Sequence, residues 1–382
     1  MAEYKTLVKK IPISPDKKTK QKDYLKKGQL PIVDQGQSLV GGYTDDANMT
    51  VECELPVIVF GDHTRAVKYI TFPFGAGADG IKVLQPKENI LPPFLYYGTQ
   101  YIVAKMPNRG YARHYQYVEK EDLPVPSLPE QERIVARIEE LFSQLDAGVE
   151  TLKKTKAQLS VYRQAVLKEA FNSAEVDCKM LPIAEILTKT RKGMSTGPFG
   201  TMIKKSDHKE TGVPMLGIEN IGRGQFVDGN KIYVTAEKAE ELKAFSLRAG
   251  DIIISRSGTV GEICAVPERA EGSLLSTNLM RVSLDNTMIR SDYFIALFQS
   301  KGIVLDQIKE LCKGSTRDFL NQTILKQIVF PVPSMEKQEE IVSIIEARMS
   351  VCDSIERTVD TALQQAEAMR QSILKDAFEG RL

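Results

Sequence analysis

The fold is decided by residues 123–172, which read LPVPSLPEQERIVARIEELFSQLDAGVETLKKTKAQLSVYRQAVLKEAFN. The segment recurs without a gap, 207 residues later, as FPVPSMEKQEEIVSIIEARMSVCDSIERTVDTALQQAEAMRQSILKDAFE at residues 330–379. Twenty of the fifty aligned positions are identical, including Gln131/Gln338, Asp146/Asp353 and Arg163/Arg370. A match of this length within one chain indicates an internal duplication.

Each copy predicts one long helix. A Pro-Val-Pro-Ser turn opens each segment, and about forty residues without an internal proline follow, as a helix requires. At about 1.5 Å per residue, each helix is roughly 60 Å long. Apolar side chains recur every seven residues, at Ile138, Leu145, Leu152, Leu159 and Val166 in the first copy and at Ile345, Cys352, Val359, Ala366 and Ile373 in the second. A coiled-coil helix has two apolar positions in each heptad, and together they form the seam that faces the partner helix. The residues above occupy the first seam position. The second is predicted at Ile134, Leu141 and Tyr162 in the first copy and at Ile341, Ile355, Ala362 and Met369 in the second.

The seven-residue period predicts that the two helices form a coiled coil with each other. A helix that buries a narrow seam, and has a near-copy in its own chain, pairs most simply with that copy. Such a pair would set a fixed distance between the domains that it carries. The alternative is that both helices are amphipathic parts of a larger helical core.

The two remaining segments, Met1–Asp122 and Ser173–Val329, each predict a compact α+β domain. They are richer in Gly, Pro and short apolar runs that are typical of strands: Leu55–Phe60, Tyr69–Phe72, Ile81–Leu84, Asp251–Ser255 and Leu279–Leu284. Helical patterns appear at Ala236–Lys243 and Tyr293–Lys309. The predicted domains are therefore residues 1–122, a helix at 123–172, residues 173–329 and a helix at 330–382.

Weak similarity also connects the two globular domains and indicates that the whole chain is a duplicated unit of domain plus helix. The first domain is about thirty-five residues shorter than the second. The matched stretches are LPIVDQG (30–36) with VPMLGIEN (213–220), VIVFGDHTRAV (57–67) with IIISRSGTVGE (252–262), DGIKVLQP (79–86) with NLMRVSL (278–284), and GYARHYQ (110–116) with GSTRDFL (314–320).

Composition indicates a soluble globular protein with more than one domain. The 382 residues are 42% hydrophobic and 26% charged, which is ordinary for such proteins. The sequence predicts neither a signal peptide nor a membrane-spanning run. The five scattered cysteines lack CxxC spacing and favour reduced thiols in the cytoplasm over disulfides or zinc. A net charge of +1 gives nucleic-acid binding no support by itself, but the globular segments carry +3 and +2, and the helical segments carry 0 and −4.

No catalytic or metal site is predicted. The stretch GAGADG (Gly75–Gly80) has the spacing of a dinucleotide loop, yet a strand pattern follows it where that loop needs a helix. LPPF (Leu91–Phe94) resembles the catalytic motif of amino-methyltransferases, but Leu91 stands where that motif needs an amide or carboxylate, and no glycine loop for S-adenosylmethionine accompanies it. The three histidines, His63, His114 and His208, lack ligand spacing, and neither a P-loop nor a nucleophile elbow is present.

The repeated segments resemble the two repeated regions of type I restriction–modification specificity subunits. The resemblance rests on PSLPEQERIVARIEELFSQLDAG with YRQAVLKEAF in the first copy, and on PSMEKQEEIVSIIEARMSVCDSIE with MRQSILKDAF in the second. It extends over essentially the whole chain, although the globular domains match only loosely. It implies an α+β protein with two target-recognition domains, separated by two long antiparallel coiled-coil helices and related by an internal pseudo-two-fold repeat.

The resemblance also implies a non-catalytic function. Each globular domain would recognise one half of a bipartite double-stranded DNA target, and the helix pair would fix the unread spacer. Two methyltransferase subunits and the restriction subunits would be the partners. S-adenosylmethionine, ATP and magnesium would bind to those partners only.

Candidate DNA contacts are polar side chains in loops that follow predicted strands, where binding residues are commonly found. Arg and Lys recognise guanine, Asn and Gln recognise adenine, and hydroxyl groups contact phosphates. The first domain offers Gln35, Gln37, Tyr43, His63, Thr64, Arg65, Lys68, Arg109, Tyr111, Arg113 and His114. The second offers Arg191, Lys192, Ser195, Thr196, Asn220, Arg223, Arg256, Ser257, Thr259, Lys313, Ser315, Thr316 and Arg317. Nine lysines within Lys5–Lys27 either grip phosphate or form a solvated segment.

Two other functions stay open from the residues alone. The chain could be a scaffolding adaptor whose coiled coil joins two protein-binding modules. It could also be a self-sufficient methyltransferase, in which case the purified chain would take up the cofactor. Selection of a DNA sequence with a fixed gap would separate the specificity subunit from the adaptor.

Overall fold

The computed structural model describes residues 1–77, 80–107, 109–172, 178–257, 260–300, 302–311 and 320–382. By contacts the chain forms two compact units. Unit 1 contains Met1–Lys154 and Val359–Leu382, and unit 2 contains Thr155–Thr358. In the described part of the chain, no helix has the length and apolar character needed to cross a membrane.

Two long helices confirm the helices predicted from the repeat. Helix α4 covers Leu128–Asn172 and helix α10 covers Met335–Phe378. Each helix gives one half to each unit, because the unit boundaries fall near the middle of both. The domain bounds predicted from the sequence treat the helices as separate pieces, whereas the contacts divide each helix between the two units.

The globular part of unit 1 is built from short strands and three helices. Its strands are β1 (Ala2–Glu3), β2 (Val8–Ile11), β3 (Lys18–Thr19), β4 (Leu30–Val33), β5 (Gly42–Thr44), β6 (Val57–Gly61), β7 (Val67–Ile70), β8 (Gly75–Gly77), β9 (Ile81–Pro86) and β10 (Asp122–Leu123). Its helices are α1 (Tyr4–Leu7), α2 (Pro92–Lys105) and α3 (Tyr115–Val118).

Two four-stranded sheets organise unit 1, in the orders β2-β9-β6-β7 and β3-β8-β4-β5. The central strand β6 is buried along its whole length, so its sequence is a continuous apolar run. Alternate side chains point to opposite faces of a strand. Accordingly, Ile58 and Phe60 lie in one apolar core with α2, while Val57 and Val59 lie in another.

Unit 2 has a similar set of elements. Its strands are β11 (Lys179–Pro182), β12 (Met194–Thr196), β13 (Val213–Leu216), β14 (Ile221–Gly222), β15 (Gln225–Phe226), β16 (Ile232–Val234), β17 (Ile252–Ser255), β18 (Ile263–Ala265), β19 (Leu274–Leu275), β20 (Leu279–Val282) and β21 (Val329–Val332). Its helices are α5 (Ile183–Ile186), α6 (Ala236–Glu241), α7 (Ser291–Gln299), α8 (Val304–Leu311) and α9 (Gln322–Gln327).

The first sheet of unit 2 repeats that of unit 1, and the second repeats it in part, with three strands in the order β16-β13-β19. The order β12-β20-β17-β18 corresponds strand for strand to β2-β9-β6-β7, and all its neighbouring pairs are antiparallel in both units. In the second sheet, β13 lies parallel to β19 as β4 lies parallel to β8. Three of the four weak similarities therefore match strands of equal position. The fourth falls partly on residues 314–319, which lie outside the described residues.

The strands and the helix at Ala236–Lys243 predicted for the globular domains are confirmed, with ends shifted by a few residues. The single helix predicted at Tyr293–Lys309 is wrong, because α7 and α8 are separate helices. Gly75–Gly77 forms strand β8 between β3 and β4, so these glycines do not begin a helix. At Gly77 an added Cβ would lie 2.5 Å from the Asp34 Cβ and 2.6 Å from the Tyr24 hydroxyl. The glycine is therefore explained by close packing. Residues 78–79 of the same stretch lie outside the described residues.

The two long helices run antiparallel within each unit. In unit 1, Arg370 pairs with Asp146 and stacks on Phe142, with 4.4 Å from its guanidinium carbon to the ring centre. In unit 2, the repeat-related Arg163 pairs with Asp353 at 2.6 Å. The identical Arg and Asp of the repeat thus make reciprocal ion pairs.

The seven-residue seam is covered, but the second seam position is only partly as predicted. Six residues of the first seam position are buried: Ile138, Leu159, Val166, Ile345, Cys352 and Val359. The other four, Leu145, Leu152, Ala366 and Ile373, are half-buried. Ile134 and Ile341 are also buried. By contrast, Tyr162, Ile355 and Met369 of the second position are exposed. Away from the helix ends, the partner helix therefore covers mainly one residue in each heptad, whereas a full coiled coil covers two.

Repeated glutamines hold each globular part to the helix that follows it. Gln131, which is completely buried, accepts a hydrogen bond from the Leu91 amide at 2.9 Å and donates to the carbonyls of Asn89 and Pro126, both at 2.9 Å. Gln338 makes the same three bonds in unit 2, to Arg290, Met288 and Pro333. The identical glutamine of the repeat therefore satisfies buried backbone groups that would otherwise lack partners.

Each globular part also packs on the end of the other long helix. Phe378, at the end of α10, lies 5.1 Å from the Phe94 ring centre and 5.3 Å from that of Tyr101 in unit 1. Phe171, at the end of α4, lies 5.6 Å from the Tyr293 ring centre in unit 2. Both phenylalanines are identical in the repeat and buried in the cores of their units.

Candidate nucleic-acid interface

Four segments of unit 1 meet at one edge of the sheet β2-β9-β6-β7 and form what is called here the first loop cluster: residues 34–37, 62–65, 80 and 109–115. The cluster lies where β6 ends and β9 begins. The Asp62 amide donates to the Gly80 carbonyl at 2.5 Å, and the His114 amide donates to the Asp62 carbonyl at 2.8 Å. Thr64 Oγ1 donates to the Gln35 carbonyl. The fold therefore brings most of the residues predicted in the first domain together.

A stacked aromatic pair, half-buried His63 and exposed Tyr111, marks this cluster. The His63 and Tyr111 rings are stacked, with centroids 4.3 Å apart and planes 5° apart. His63 Nδ1 donates to the Ala112 carbonyl at 3.2 Å, which places the proton on that nitrogen. Tyr111 is 84% exposed, so it presents one flat face to solvent while His63 holds its other face.

The loops that carry the pair also carry three arginines. Arg65 occupies the left-handed region, with φ 60°, at a turn directly after β6, and donates to the Met106 carbonyl at 3.2 Å. Arg109 lies 4.7 Å above the Tyr117 ring. Arg113 and Gln37 are exposed on neighbouring loops. The cluster therefore combines cations, an amide and an aromatic face, as base edges and phosphates require.

The second loop cluster, residues 196–199, 256–257, 276–278 and 320–321, occupies the corresponding edge of the unit 2 sheet. Arg256 directly follows β17, as Asp62 follows β6. Its carbonyl accepts from the Leu320 amide at 3.0 Å, and its guanidinium donates to the carbonyls of Thr277 at 3.1 Å and Leu320 at 3.3 Å. Thr277 Oγ1 donates to the Pro198 carbonyl at 2.7 Å. Arg256 therefore holds three loops together, and burial lowers the pKa of its guanidinium.

Four predicted contact residues are buried inside their domains. Lys68 donates to the Asp34 carbonyl at 2.7 Å, and burial lowers its pKa. His114 donates through Nδ1 to the Asp62 carbonyl at 3.0 Å. Ser195 lies on β12. Asn220 bonds to four groups of its own loop. Lys68, His114 and Asn220 therefore bond to backbone groups of loops, and the burial of all four side chains disfavours a direct contact with DNA.

Three others lie elsewhere in unit 2. Arg191 pairs with Asp251, which precedes β17, so it sits at the opposite end of the sheet from the second loop cluster. The Lys192 carbonyl accepts from Arg281 at 3.0 Å, while its side chain is exposed. Arg223 bonds to Glu356 on α10 at 3.1 Å. The fold therefore does not join these residues to the cluster.

The remaining predicted residues divide by position. In unit 1, Tyr43 lies half-buried on β5, outside the first loop cluster. In unit 2, Thr196 ends β12 within the second cluster, and Ser257 Oγ donates to Asn278 Oδ1 at 3.4 Å. Five predicted residues lie outside the described residues: Thr259, Lys313, Ser315, Thr316 and Arg317.

Sequence reasoning missed two residues of the second loop cluster. Phe199 is 65% exposed, although its ring is large and apolar. It lies in the run Gly197–Gly200, and an added Cβ at Gly197 would lie 1.9 Å from the Ser276 carbonyl oxygen. Asn278 is exposed beside Ser257. The sequence did contain a signal for Phe199. Its neighbours, Gly197, Pro198 and Gly200, offer few apolar side chains that could bury the ring.

The chain thus contains two related mixed helix–sheet domains, each with a polar loop cluster at the corresponding end of its first sheet. The profile of the type I restriction modification DNA specificity domain matches residues 10–160 and 188–365. These matches cover most of the chain, one in each half. The chain belongs to the family of type I restriction–modification DNA specificity proteins.

Curated relatives agree with this family. The chain is 26% identical over 370 residues to the type I restriction enzyme EcoBI specificity subunit of Escherichia coli, which covers 91% of this chain and 74% of the relative. It is also 26% identical over 274 residues to the StySPI specificity subunit of Salmonella potsdam, and this match covers 68% of this chain and 58% of the relative. That second match spans little more than half the length of the relative.

One solved structure, which concerns complex assembly and conformational transition of the type I R-M system, is similar with a TM-score of 0.68. The similarity covers 100% of this chain and 97% of that chain at 16% identity. At this identity it establishes the fold, and it agrees with the predicted arrangement of two mixed domains and two long helices.

Proposed function

We propose that this chain is a non-catalytic specificity subunit in which each globular domain recognises one half of a bipartite DNA target. The first loop cluster would contact one half-site and the second loop cluster the other. The observation that carries the proposal is the duplication itself: strands of equal order bring polar loops to the same sheet edge in both units. Two similar surfaces in one chain suit two half-sites of one target.

The charge distribution supports the same surfaces. The globular segments carry +3 and +2, whereas the second helical segment carries −4. Phosphates attract cations and repel carboxylates, so DNA would approach the globular parts. Exposed Tyr111 and Phe199 add apolar faces suited to a thymine methyl group or a sugar.

The two long helices would set the length of the unread spacer. Reciprocal Arg–Asp pairs between the two helices and the buried residues of their seam support this role. Two methyltransferase subunits and the restriction subunits would be the partners. S-adenosylmethionine, ATP and magnesium would bind to those subunits, which would supply the chemistry.

The test is methylation of a randomised duplex pool by the chain together with its methyltransferase subunit. The proposal expects methylated products to share two short sequences separated by a constant gap. Complex formation without sequence selection would favour the scaffolding adaptor. Uptake of S-adenosylmethionine by the chain alone would favour a self-sufficient methyltransferase.

Arg65→Ala and Arg256→Ala serve as matched variants in this assay. Each is expected to weaken selection at one half-site only, by about 1–3 kcal/mol for a bidentate contact to guanine. Because Arg256 also bonds to two loop carbonyls, Arg256→Lys and the melting temperature separate a lost base contact from a disturbed loop. Equal losses at both half-sites, or no loss, would count against these assignments.

A further inference from the structure

A groove of about 380 Å³ lies in unit 1 between helix α2 and the two long helices. It is lined by Tyr96, Tyr97, Gln100, Glu139, Phe142, Ser143, Asp146 and Arg370. The Tyr97 ring meets the Phe142 ring edge-on, 5.7 Å between centroids. Two carboxylates and one guanidinium give the groove a net negative charge, which disfavours DNA phosphate and favours a cation.

The internal repeat identifies the equivalent place in unit 2. Gln131 bonds to Asn89 and Leu91 as Gln338 bonds to Met288 and Arg290, so α2 and α7 correspond with an offset of 199 residues. Tyr96 and Gln100 therefore correspond to Ile295 and Gln299. On the long helices, Asp146 and Arg370 correspond to Asp353 and Arg163.

In unit 2 this place is occupied by the tip of the β14–β15 hairpin. Gln299 donates to the Arg223 carbonyl at 2.8 Å, and the Arg223 guanidinium bonds to Glu356 at 3.1 Å. At Gly224, with φ 82°, an added Cβ would lie 1.9 Å from Gln299 Nε2 and 3.1 Å from Ile295 Cγ2. Only glycine permits this approach, so the Arg-Gly tip fits the surface of α7 closely.

Unit 1 has no such hairpin among its described residues, since its chain runs from β4 to β5 through residues 34–41, whereas the corresponding chain of unit 2 runs from β13 to β16 through residues 217–231. The surface of α2 that corresponds to the hairpin seat on α7 is the groove of Tyr96 and Gln100. The charges of the groove differ from those of the hairpin seat in unit 2, because Val149 replaces Glu356. Asp146 is paired with Arg370, so Glu139 is the groove carboxylate outside that ion pair.

We propose that the unit 1 groove is a docking site for a tight turn of a protein partner with an arginine or lysine at its tip. The unit 2 hairpin shows which shape fills the equivalent place. The tyrosine and phenylalanine rings would contact the stem of the basic side chain, and Glu139 would contact its charge. This inference rests on the proposed function, because the partner assayed is the methyltransferase subunit.

The first test is a pair of charge reversals at repeat-related positions. Glu139→Lys and Glu346→Lys change exposed residues 207 positions apart on the two long helices. Glu139→Lys is expected to weaken binding of the methyltransferase subunit about tenfold, the effect of losing one important interface contact. Glu346→Lys is expected to leave binding within about twofold, because in unit 2 the hairpin tip covers the surface of α7 at Gln299 and its arginine bonds to Glu356, not to Glu346. Equal losses, or none from Glu139→Lys, would overturn the proposal.

The second test identifies the occupant. A photo-crosslinking amino acid at Ser143 of the full chain, in complex with the methyltransferase subunit, is expected to capture a turn that contains arginine or lysine. Reversal of that basic residue to glutamate should restore binding to the Glu139→Lys chain. Capture of an acidic or apolar segment, or of DNA, would overturn the proposal. If the unaltered chain binds no methyltransferase subunit, the proposed function fails; if it binds and directs methylation while Glu139→Lys binds equally well, only the groove proposal fails.

Discussion

At the scale of single residues, the polar side chains of the two loop clusters divide into those that hold loops and those that face solvent. Tyr111 and Arg113 face solvent, whereas Lys68 and His114 are buried in hydrogen bonds to backbone carbonyls. The type of amino acid does not tell the buried side chains from the exposed ones. A lysine and a histidine predicted as DNA contacts are instead supports for the loops that carry the exposed residues.

Asn220→Ala tests this division. The Asn220 amide oxygen accepts from the Gly217 amide at 2.9 Å, and its nitrogen donates to Val227, Gly229 and Asn230 at 2.9–3.0 Å. Loss of the amide leaves buried backbone groups unpaired and is expected to lower the free energy of unfolding by about 1–3 kcal/mol.

The measurement is urea denaturation beside the methylation assay. The preferred bases should stay the same in the Asn220→Ala chain at a temperature where it is folded. A change of preferred base with unchanged stability would return Asn220 to the set of DNA contacts. Thr196→Ala, on a half-buried residue of the second loop cluster, is the companion variant for an effect on recognition.

At the scale of elements, the ends of the long helices are anchored as firmly as their beginnings. Phe378 packs between Phe94 and Tyr101, and Phe171 packs against Tyr293. The glutamines at the beginnings, Gln131 and Gln338, bond to the chain that precedes α2 and α7. Each globular part is thus fixed to two different helices, which restricts its orientation on the helix pair of its own unit.

Phe378→Ala and Phe171→Ala are expected to destabilise the protein by similar amounts. Each removes a buried aromatic ring from one of the two main cores, which typically costs about 3–5 kcal/mol. Urea denaturation measures the loss, with Phe199→Ala as the exposed control, expected to change stability by less than about 0.5 kcal/mol. A small effect at one helix end alone would contradict the equivalence of the two anchors.

At the scale of the whole molecule, buried tyrosines make stability depend on alkaline pH. Burial raises the pKa of Tyr24, Tyr97 and Tyr115 to about 12, and it also raises the pKa of Tyr4 and Tyr293. In the folded state these hydroxyls keep their protons above pH 10, where tyrosines of the unfolded chain lose them. Folding therefore holds extra protons, and stability falls as the pH rises from 10 towards 12.

The expected slope is about 1.4 kcal/mol per pH unit for each fully buried tyrosine that keeps its proton. Urea denaturation between pH 8 and about 11, with tyrosinate absorbance as a second signal, measures it. Tyr4→Phe should reduce the slope, because Tyr4 is completely buried and bonded to Thr99 at 2.6 Å. A flat profile in the unaltered chain would contradict the argument.

The sequence by itself determined the features that depend on neighbours along the chain. The 207-residue repeat predicted two long helices, and the seven-residue spacing of residues such as Ile138 and Val166 predicted the covered seam. The run VIVFG predicted strand β6, because a strand buried on both faces must be apolar throughout. The loops that follow β4 and β6 were also identifiable, so Gln35 and His63 lie in loops after strands as predicted, whereas Arg109 follows helix α2.

Only the tertiary structure decided which of those loops meet and which of their side chains are exposed. Lys68 is buried because Asp34, thirty-four residues away, accepts its hydrogen bond, and Tyr162 is exposed because the partner helix covers mainly one residue in each heptad. Arg223 seats on α7 because Gly224 allows a close approach there. Such contacts join segments far apart in the chain, and their free energy depends on partners that no local pattern specifies.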